Sequence, residues 1–233
     1  PDLWKLEDTD GDDIADKRES LSTGYGVRVT LLGHDLHGLQ IGPDGWLYFS
    51  CGDRGFNVQT PKGPIVHPDT GAVLRCRLDG SDLEVVHTGL RNPQELAFDA
   101  QGNLFTGDNN SDGGDKARWV MILEGADTGW RSSYQWIFEP EARGPWREEG
   151  LWKPHFEGQA AYISPAIDNI AAGPSGLAYY PGTGSGNGLD GTFLLCDFRG
   201  YRGGSGVLSF SLEPDGANFK LVNRQEYIWK TLV

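Results

Sequence analysis

The stretch LHGLQIGPDGWLYFSCGD (residues 36–53) decides the fold. It contains an apolar run, a Pro-Asp-Gly turn and a second apolar run in direct succession. Pro43 presets the backbone of a tight turn and Gly45 supplies the positive φ that closes it, so the segment reads as a β-hairpin. The plan returns at PQELAFDAQGNLFTGDN (93–109), with Ala-Gln-Gly as the turn, and at PSGLAYYPGTGSGNGLDGTFLLCDF (174–198), with a longer loop. Further strand pairs follow the first and third units, at GAVLRCRLDGSDLEVVHTG (71–89) and SGVLSFSLEPDGANFKLVNRQEY (205–227). Four-strand units recurring in this way predict the blades of a β-propeller.

The expected fold class is therefore all-β, a propeller of four-stranded blades of which the chain covers about three to four, too few to close a ring. Residues 1–32 read as an acidic loop and an incomplete blade, and 33–130 as two blades. Residues 131–172, rich in Trp, Pro and Glu and without strand period, read as a long excursion between blades, and 173–233 as a further blade cut short at its end. Excursions of that length commonly carry function.

Composition narrows the partners. The chain has 33 acidic and 20 basic residues, a net charge of −13, which argues against nucleic acid because phosphate binding needs a basic footprint. The same charge argues against an anionic membrane surface. No apolar run approaches the roughly 20 residues of a membrane span, so membrane insertion by this segment is not expected. Cys51, Cys76 and Cys196 each lie in an apolar, strand-like run, without the CxxC spacing of zinc or haem sites. They read as buried thiols.

DTDGDDIADKRE (8–19) is the most distinctive motif. With Asp8 as the first position, Asp10, Asp12, Ile14, Asp16 and Glu19 fall at the ligand positions of a twelve-residue calcium loop, Ile14 through its carbonyl. Carboxylates at this density repel one another unless a cation is bound. Asp13 stands where the EF-hand requires Gly, so the motif looks closer to the short calcium loops of secreted repeat proteins. Such a saturated site would be structural. A solvated acidic turn is the plainer alternative.

GHDLHGLQIGPDGWLYFSCGDRG (33–55) resembles the soluble, PQQ-dependent (quinoprotein) glucose/sorbosone dehydrogenases, which carry a His, an apolar-Gly-Pro-Asp-Gly turn, a strand and Gly-Asp-x-Gly. The resemblance implies a propeller of about six blades, with His34 as the catalytic base and Asp53 as the carboxylate that orients it. An imidazole suits the removal of a hydroxyl proton while hydride leaves the same carbon. His37 is a competing base. HTGLRNPQELAFDAQGNLFTGDNNSDGGD (87–115) is similar to the family's Arg-Asn-Pro-Gln run and acidic-Gly-Gly-Asp loop. This implies that Arg91 and Asn92 contact the quinone's carboxylates, as Arg199 in LLCDFRG (194–200) would. It also implies calcium on the quinone, held by the carbonyls of Asn110 and Ser111. Here Asp108-Asn109-Asn110-Ser111 replaces the family's Glu-His-Gly-Pro, a departure in the very loop that holds the cofactor. GADTGWR (125–131) echoes another family segment with its polar positions changed.

The function implied is oxidation of a sugar or related alcohol with PQQ and Ca2+, in the periplasm or outside the cell, with a cytochrome or other electron acceptor as partner. Two alternatives stand beside it. One is a non-catalytic, calcium-stabilised propeller that binds carbohydrate or protein. The other is a calcium-dependent propeller hydrolase, to which Asp108 and Asn169 would contribute without completing a ligand set.

Overall fold

The computed structural model of the chain describes residues 1–27, 33–112, 114–132, 146, 148–151, 154–159, 163–184 and 188–231. Much of the expected excursion, 133–145 included, thus lies outside the described residues. The architecture is all-β. β1 (Asp2–Glu7) and β2 (Lys17–Thr23) form an antiparallel hairpin whose tip is the acidic loop. β3 (Leu36–Ile41) and β4 (Leu47–Cys51) are the hairpin expected from 36–53, and Gly45 at its turn has φ +79°. A separate hairpin of β5 (Phe56–Thr60) and β6 (Gly63–His67) follows before β7 (Gly71–Cys76) and β8 (Glu84–Leu90) return to the first sheet.

That sheet runs in the order β3-β4-β7-β8 and gains a short parallel strand, β12 (Ala126–Asp127), on its outer edge. The second sheet runs β9 (Pro93–Phe98), β10 (Leu104–Asp108), β11 (Ala117–Ile122) and β13 (Asp168–Ala171). Its last strand comes from inside the stretch 131–172, so the polypeptide leaves this blade after three strands and returns to finish it. The third sheet runs β14 (Pro174–Tyr180), β15 (Thr192–Asp197), β16 (Gly206–Asp215) and β17 (Asn218–Trp229). β3, β9 and β14, the first strand of each sheet, pack beside one another. Three consecutive antiparallel meanders, each starting at a common inner line, are propeller blades.

Strand alternation sends one row of side chains into each gap between sheets. Tyr48, Val73, Val86 and Leu90 of the first sheet meet Leu96, Leu104, Val120 and Ile122 of the second. Phe105 and Trp119 of the second meet Phe193, Leu208 and Phe210 of the third. Trp119 packs edge-on against Phe193 and Phe210 at centroid distances of 5.1 and 4.9 Å. Such pairs contribute about 0.5–1.5 kcal/mol each beyond the area they bury. Leu3, Tyr25, Phe56 and Val58 pack on the outer first sheet against Phe49 and Cys51. Cys51 and Cys76 are buried free thiols and Cys196 is half-buried. Burial pushes all three up, Cys76 to about 11.

The repeat fixes equivalences that position the site. Leu36 faces Cys51, Pro93 faces Asp108 and Pro174 faces Asp197 across the inner strand pairs. His34 and Arg91, each two residues ahead of its inner strand, therefore enter neighbouring blades at matching places.

Candidate active site

His34 lies just ahead of β3 and Asp53 just past β4, and both are buried. The Nδ1 of His34 is 2.8 Å from Oδ1 of Asp53. Gly52 makes this approach possible: a Cβ there would stand 2.6 Å from the His34 carbonyl oxygen and 2.8 Å from Oδ1 of Asn92. The Asp53 amide donates to the Arg91 carbonyl at 2.7 Å, tying the exit of β4 to the entry of β9. On its far side Asp53 accepts, through Oδ2, the indole N–H of Trp130 at 2.9 Å. The result is a buried chain, Trp130 to Asp53 to His34, drawn from three separate segments.

Burial dominates the electrostatics. It pushes the imidazole of His34 down to about 3, helped by the positive charges of Arg91 and Arg54 and by His37. It pushes the carboxyl of Asp53 up to about 8, against the pull of Arg91 and the Trp130 N–H. The imidazole is thus uncharged at neutral pH, and the 2.8 Å contact is not a resting ion pair. When Asp53 ionises it holds the proton of His34 on Nδ1, leaving the Nε2 lone pair as a base. While Asp53 keeps its proton it donates to Nδ1, and Nε2 carries the hydrogen instead.

Arg91 and Asn92 form the entry turn of β9. Their amides both donate to the fully buried Asp108, Arg91 at 2.9 and 3.1 Å and Asn92 at 2.8 Å. The Arg91 side chain is 2% exposed. Its Nη1 donates to the Asn110 carbonyl, its Nη2 donates to Asp112 at 2.7 Å, and its guanidinium lies 5.8 Å from the Trp130 ring centroid. Among the described residues, Nε of Arg91 and Oδ1 of Asn92 are buried without a hydrogen-bond partner. Such orphaned groups carry a desolvation cost that a polar ligand would relieve. A donor and an acceptor beside a base fit one edge of a carboxylate-bearing quinone.

The other expected site residues fall differently. The Asn110 oxygen faces the Arg91 guanidinium, and the Ser111 amide and hydroxyl donate to Asp115 at 2.9 and 2.6 Å. Loop 108–111 in this conformation thus turns the Asn110 carbonyl toward a cation the chain already supplies, and it does not fit the calcium cradle expected there. Arg199 pairs with the buried Asp197 in its own blade at 2.8 Å and is 41% exposed. His37 donates from Nε2 to the Gly33 carbonyl at 2.8 Å, which leaves its lone pair on Nδ1. Asp108, a candidate for a hydrolase metal, is filled by two amides and by Arg118.

At the β1–β2 tip only part of the expected ligand set converges. Among the described residues, Asp8, Asp10 and Asp16 bring carboxylate oxygens within 4.8 Å of one another, all exposed. Asp12 instead accepts the Ile14 amide at 2.8 Å, Ile14 is exposed, and Glu19 sits on β2 opposite Lys5. The tight hairpin, closed by the Asp16 amide on the Glu7 carbonyl at 3.1 Å, carries Glu19 away before a twelve-residue loop can wrap. Amides of Gly11 and Asp13 hold the Asp8 carboxyl below the usual range.

Three residues hold places in this site that the sequence did not assign to them. Trp130 lay within the noted segment 125–131, but nothing local aims its indole at Asp53. Asp108 had a usable signal for its capping role, since FTGD108 and LLCD197 end equivalent strands in the same residue. Arg118 had none.

Sheet architecture and a polar site at the mouths of the inner strands define a β-propeller chain with a buried His–Asp–Trp cluster at one end. The chain belongs to the DUF7133 family, described as a domain of unknown function, whose match spans residues 1–228. In sequence it is similar to quinoprotein glucose dehydrogenase B of Acinetobacter calcoaceticus, 32% identical over 124 residues, covering 42% of this chain and 26% of that protein. The chain thus spans about a quarter of the length of that curated relative. Among solved structures it is similar to the PQQ-bound aldose sugar dehydrogenase of Streptomyces coelicolor (22% identity, 82% of this chain and 50% of that one, TM-score 0.47). It is also similar to a glucose dehydrogenase-type oxidoreductase of Thermus thermophilus (14% identity, 91% and 75%, TM-score 0.49).

Proposed function

We propose that this protein oxidises a sugar or related alcohol with PQQ, using His34 as general base. The observation that carries the reading is the buried Trp130–Asp53–His34 chain beside the unpaired polar atoms of Arg91 and Asn92. The sequence similarity to a quinoprotein glucose dehydrogenase points the same way. Nε2 of His34 takes the proton of the substrate hydroxyl as the C–H bond breaks and the carbonyl forms. The quinone, when bound, supplies the two-electron acceptor for the departing hydride. Asp53 fixes the imidazole tautomer and stabilises the imidazolium that proton transfer creates. Nε of Arg91 would donate to a carboxylate or carbonyl oxygen of the cofactor, Oδ1 of Asn92 would accept from a cofactor N–H, and a cytochrome or other acceptor would remove the electrons.

Calcium belongs to the reading at the β1–β2 tip, where Asp8, Asp10 and Asp16 stabilise the hairpin around one ion. The periplasm or the extracellular space is the compartment that goes with it. No helix among the described residues is long and apolar enough to cross a membrane.

The test is reconstitution of the full-length protein with PQQ and calcium, followed by dye reduction with a panel of aldoses. Quinone absorbance retained on the protein and turnover abolished in His34→Ala support the reading. A second reading, a calcium-stabilised propeller that binds carbohydrate or protein without catalysis, draws on the engagement of Arg91 by Asn110 and Asp112. Calcium retained without quinone would favour it.

A further inference from the structure

Arg118 on β11 is 4% exposed in its side chain and makes contacts to three acceptors. Its Nη1 donates to the Thr128 carbonyl at 2.8 Å, and its Nη2 donates to the Gly89 carbonyl at 3.3 Å and to Asp108. Gly89 and Thr128 belong to the segments that carry Arg91 and Trp130, and Asp108 ends β10. Gly89 stands two residues before Arg91, and Asp108 caps the Arg91 and Asn92 amides. Thr128 stands two residues before Trp130, whose indole holds Asp53. The Gly89 carbonyl is a shared node, since it also accepts the Trp130 amide at 2.9 Å and the Thr128 hydroxyl at 2.7 Å. Trp146 lies over the guanidinium at 4.2 Å and packs edge-on against Trp130 at 5.9 Å.

We infer that Arg118 is a positioning residue: with Asp108 it clamps the Arg91–Asn92 turn to the segment that carries Trp130, and so sets the Trp130–Asp53–His34 chain relative to the cofactor-facing groups. The planar fork of a guanidinium reaches three acceptors on different segments at once, and a lysine ammonium in the same place does not. Neutralising Asp108 alone would need only a charge. The carbonyl contacts are what join the two segments. This inference rests on the reading of His34 as base and of Arg91 and Asn92 as cofactor-facing.

The experiment uses full-length protein labelled with 15N at histidine, as wild type, Arg118→Lys and Asp108→Asn. It records the His34 ring nitrogens against pH without cofactor, then PQQ affinity by absorbance titration, with thermal midpoints alongside. Arg118→Lys is expected to fold, to move the Asp53-linked transition seen at His34 to higher pH as the Trp130 N–H is lost, and to weaken PQQ binding by about tenfold or more. If Arg118→Lys does not fold, Asp108→Asn carries the same readouts, because its remaining oxygen still accepts the Arg91 and Asn92 amides. A folded variant whose His34 titration and PQQ affinity match wild type to within about twofold overturns the clamp. Should wild type bind no PQQ, the proposed function fails by itself, and the His34 signal of the cofactor-free variants still decides for or against Arg118.

Discussion

As the proposed base, buried His34 would depend on the charge of Asp53, 2.8 Å away. Ionisation of Asp53 keeps the His34 proton on Nδ1 and the lone pair on Nε2, so turnover is expected to rise with pH through about 8, the value to which burial lifts that carboxyl. The kcat/KM profile of the reconstituted protein reads this directly. Trp130→Phe removes the N–H that favours the carboxylate, so the rising limb should move to higher pH and activity at pH 7 should fall. A flat profile between pH 6 and 9, roughly the span of that limb, would show that Asp53 does not govern the base. His34→Gln should cost about 10²–10⁴-fold in kcat with the thermal midpoint little changed.

At the scale of the element, the exit of β4 and the gaps between sheets make separate demands. Gly52→Ala forces a methyl against the His34 carbonyl and Asn92, and should lower activity more than stability, read as kcat/KM against thermal midpoint. Phe193→Ala opens the gap between the second and third sheets and should cost about 3–5 kcal/mol in denaturant unfolding, because its ring contacts Phe105, Trp119 and Phe210. The hairpins were legible in the sequence because Pro43, Asp44 and Gly45 encode their turn within a few residues and alternation does the rest. His34, Asp53, Arg91 and Asn92 were reached through the resemblance to the quinoprotein dehydrogenases, and the structure gathers all four. β13 was not legible, since its partner β11 lies across the excursion and pairing at such separation leaves no local pattern. Nor was the role of Trp130, 77 residues from the carboxylate it holds. The expected calcium loop failed in part for the converse reason. Its spacing matched, but strand pairing of Glu19 with Lys5 took precedence over ligand geometry.

For the whole molecule, buried histidines set the acid limit. Burial holds His34 near about 3 and His87 near about 4, both below the ordinary 6.5. Below pH 6.5 the unfolded chain therefore takes up protons that the folded chain refuses, and stability falls until the folded values are passed. Asp53 has the opposite sign: its folded form keeps a proton up to about 8, so it costs stability as pH rises from 3.8 toward that value. Together these groups place the stability maximum at about pH 6.5. Thermal midpoints between pH 4 and 8 should show it, and His87→Gln should lose less on the acid side. With a net charge of −13, a cation at the β1–β2 tip, as proposed, would relieve repulsion among Asp8, Asp10 and Asp16. Chelation should lower the midpoint of wild type and leave a triple Asp8→Asn, Asp10→Asn, Asp16→Asn variant unmoved.

The central claim is that His34 takes the substrate proton beside a bound quinone. Its most direct measurement is single-turnover reduction of PQQ on the reconstituted full-length protein, followed by absorbance on adding an aldose, for wild type and His34→Gln across pH 6–9, roughly the range over which Asp53 would titrate. Wild type is expected to reduce the quinone faster as pH rises through about 8, and His34→Gln to bind PQQ but reduce it about 10²–10⁴-fold more slowly at about pH 9, with a smaller gap at about pH 6 where Asp53 is protonated. Equal rates in the two proteins, or no quinone retained by wild type, would contradict it.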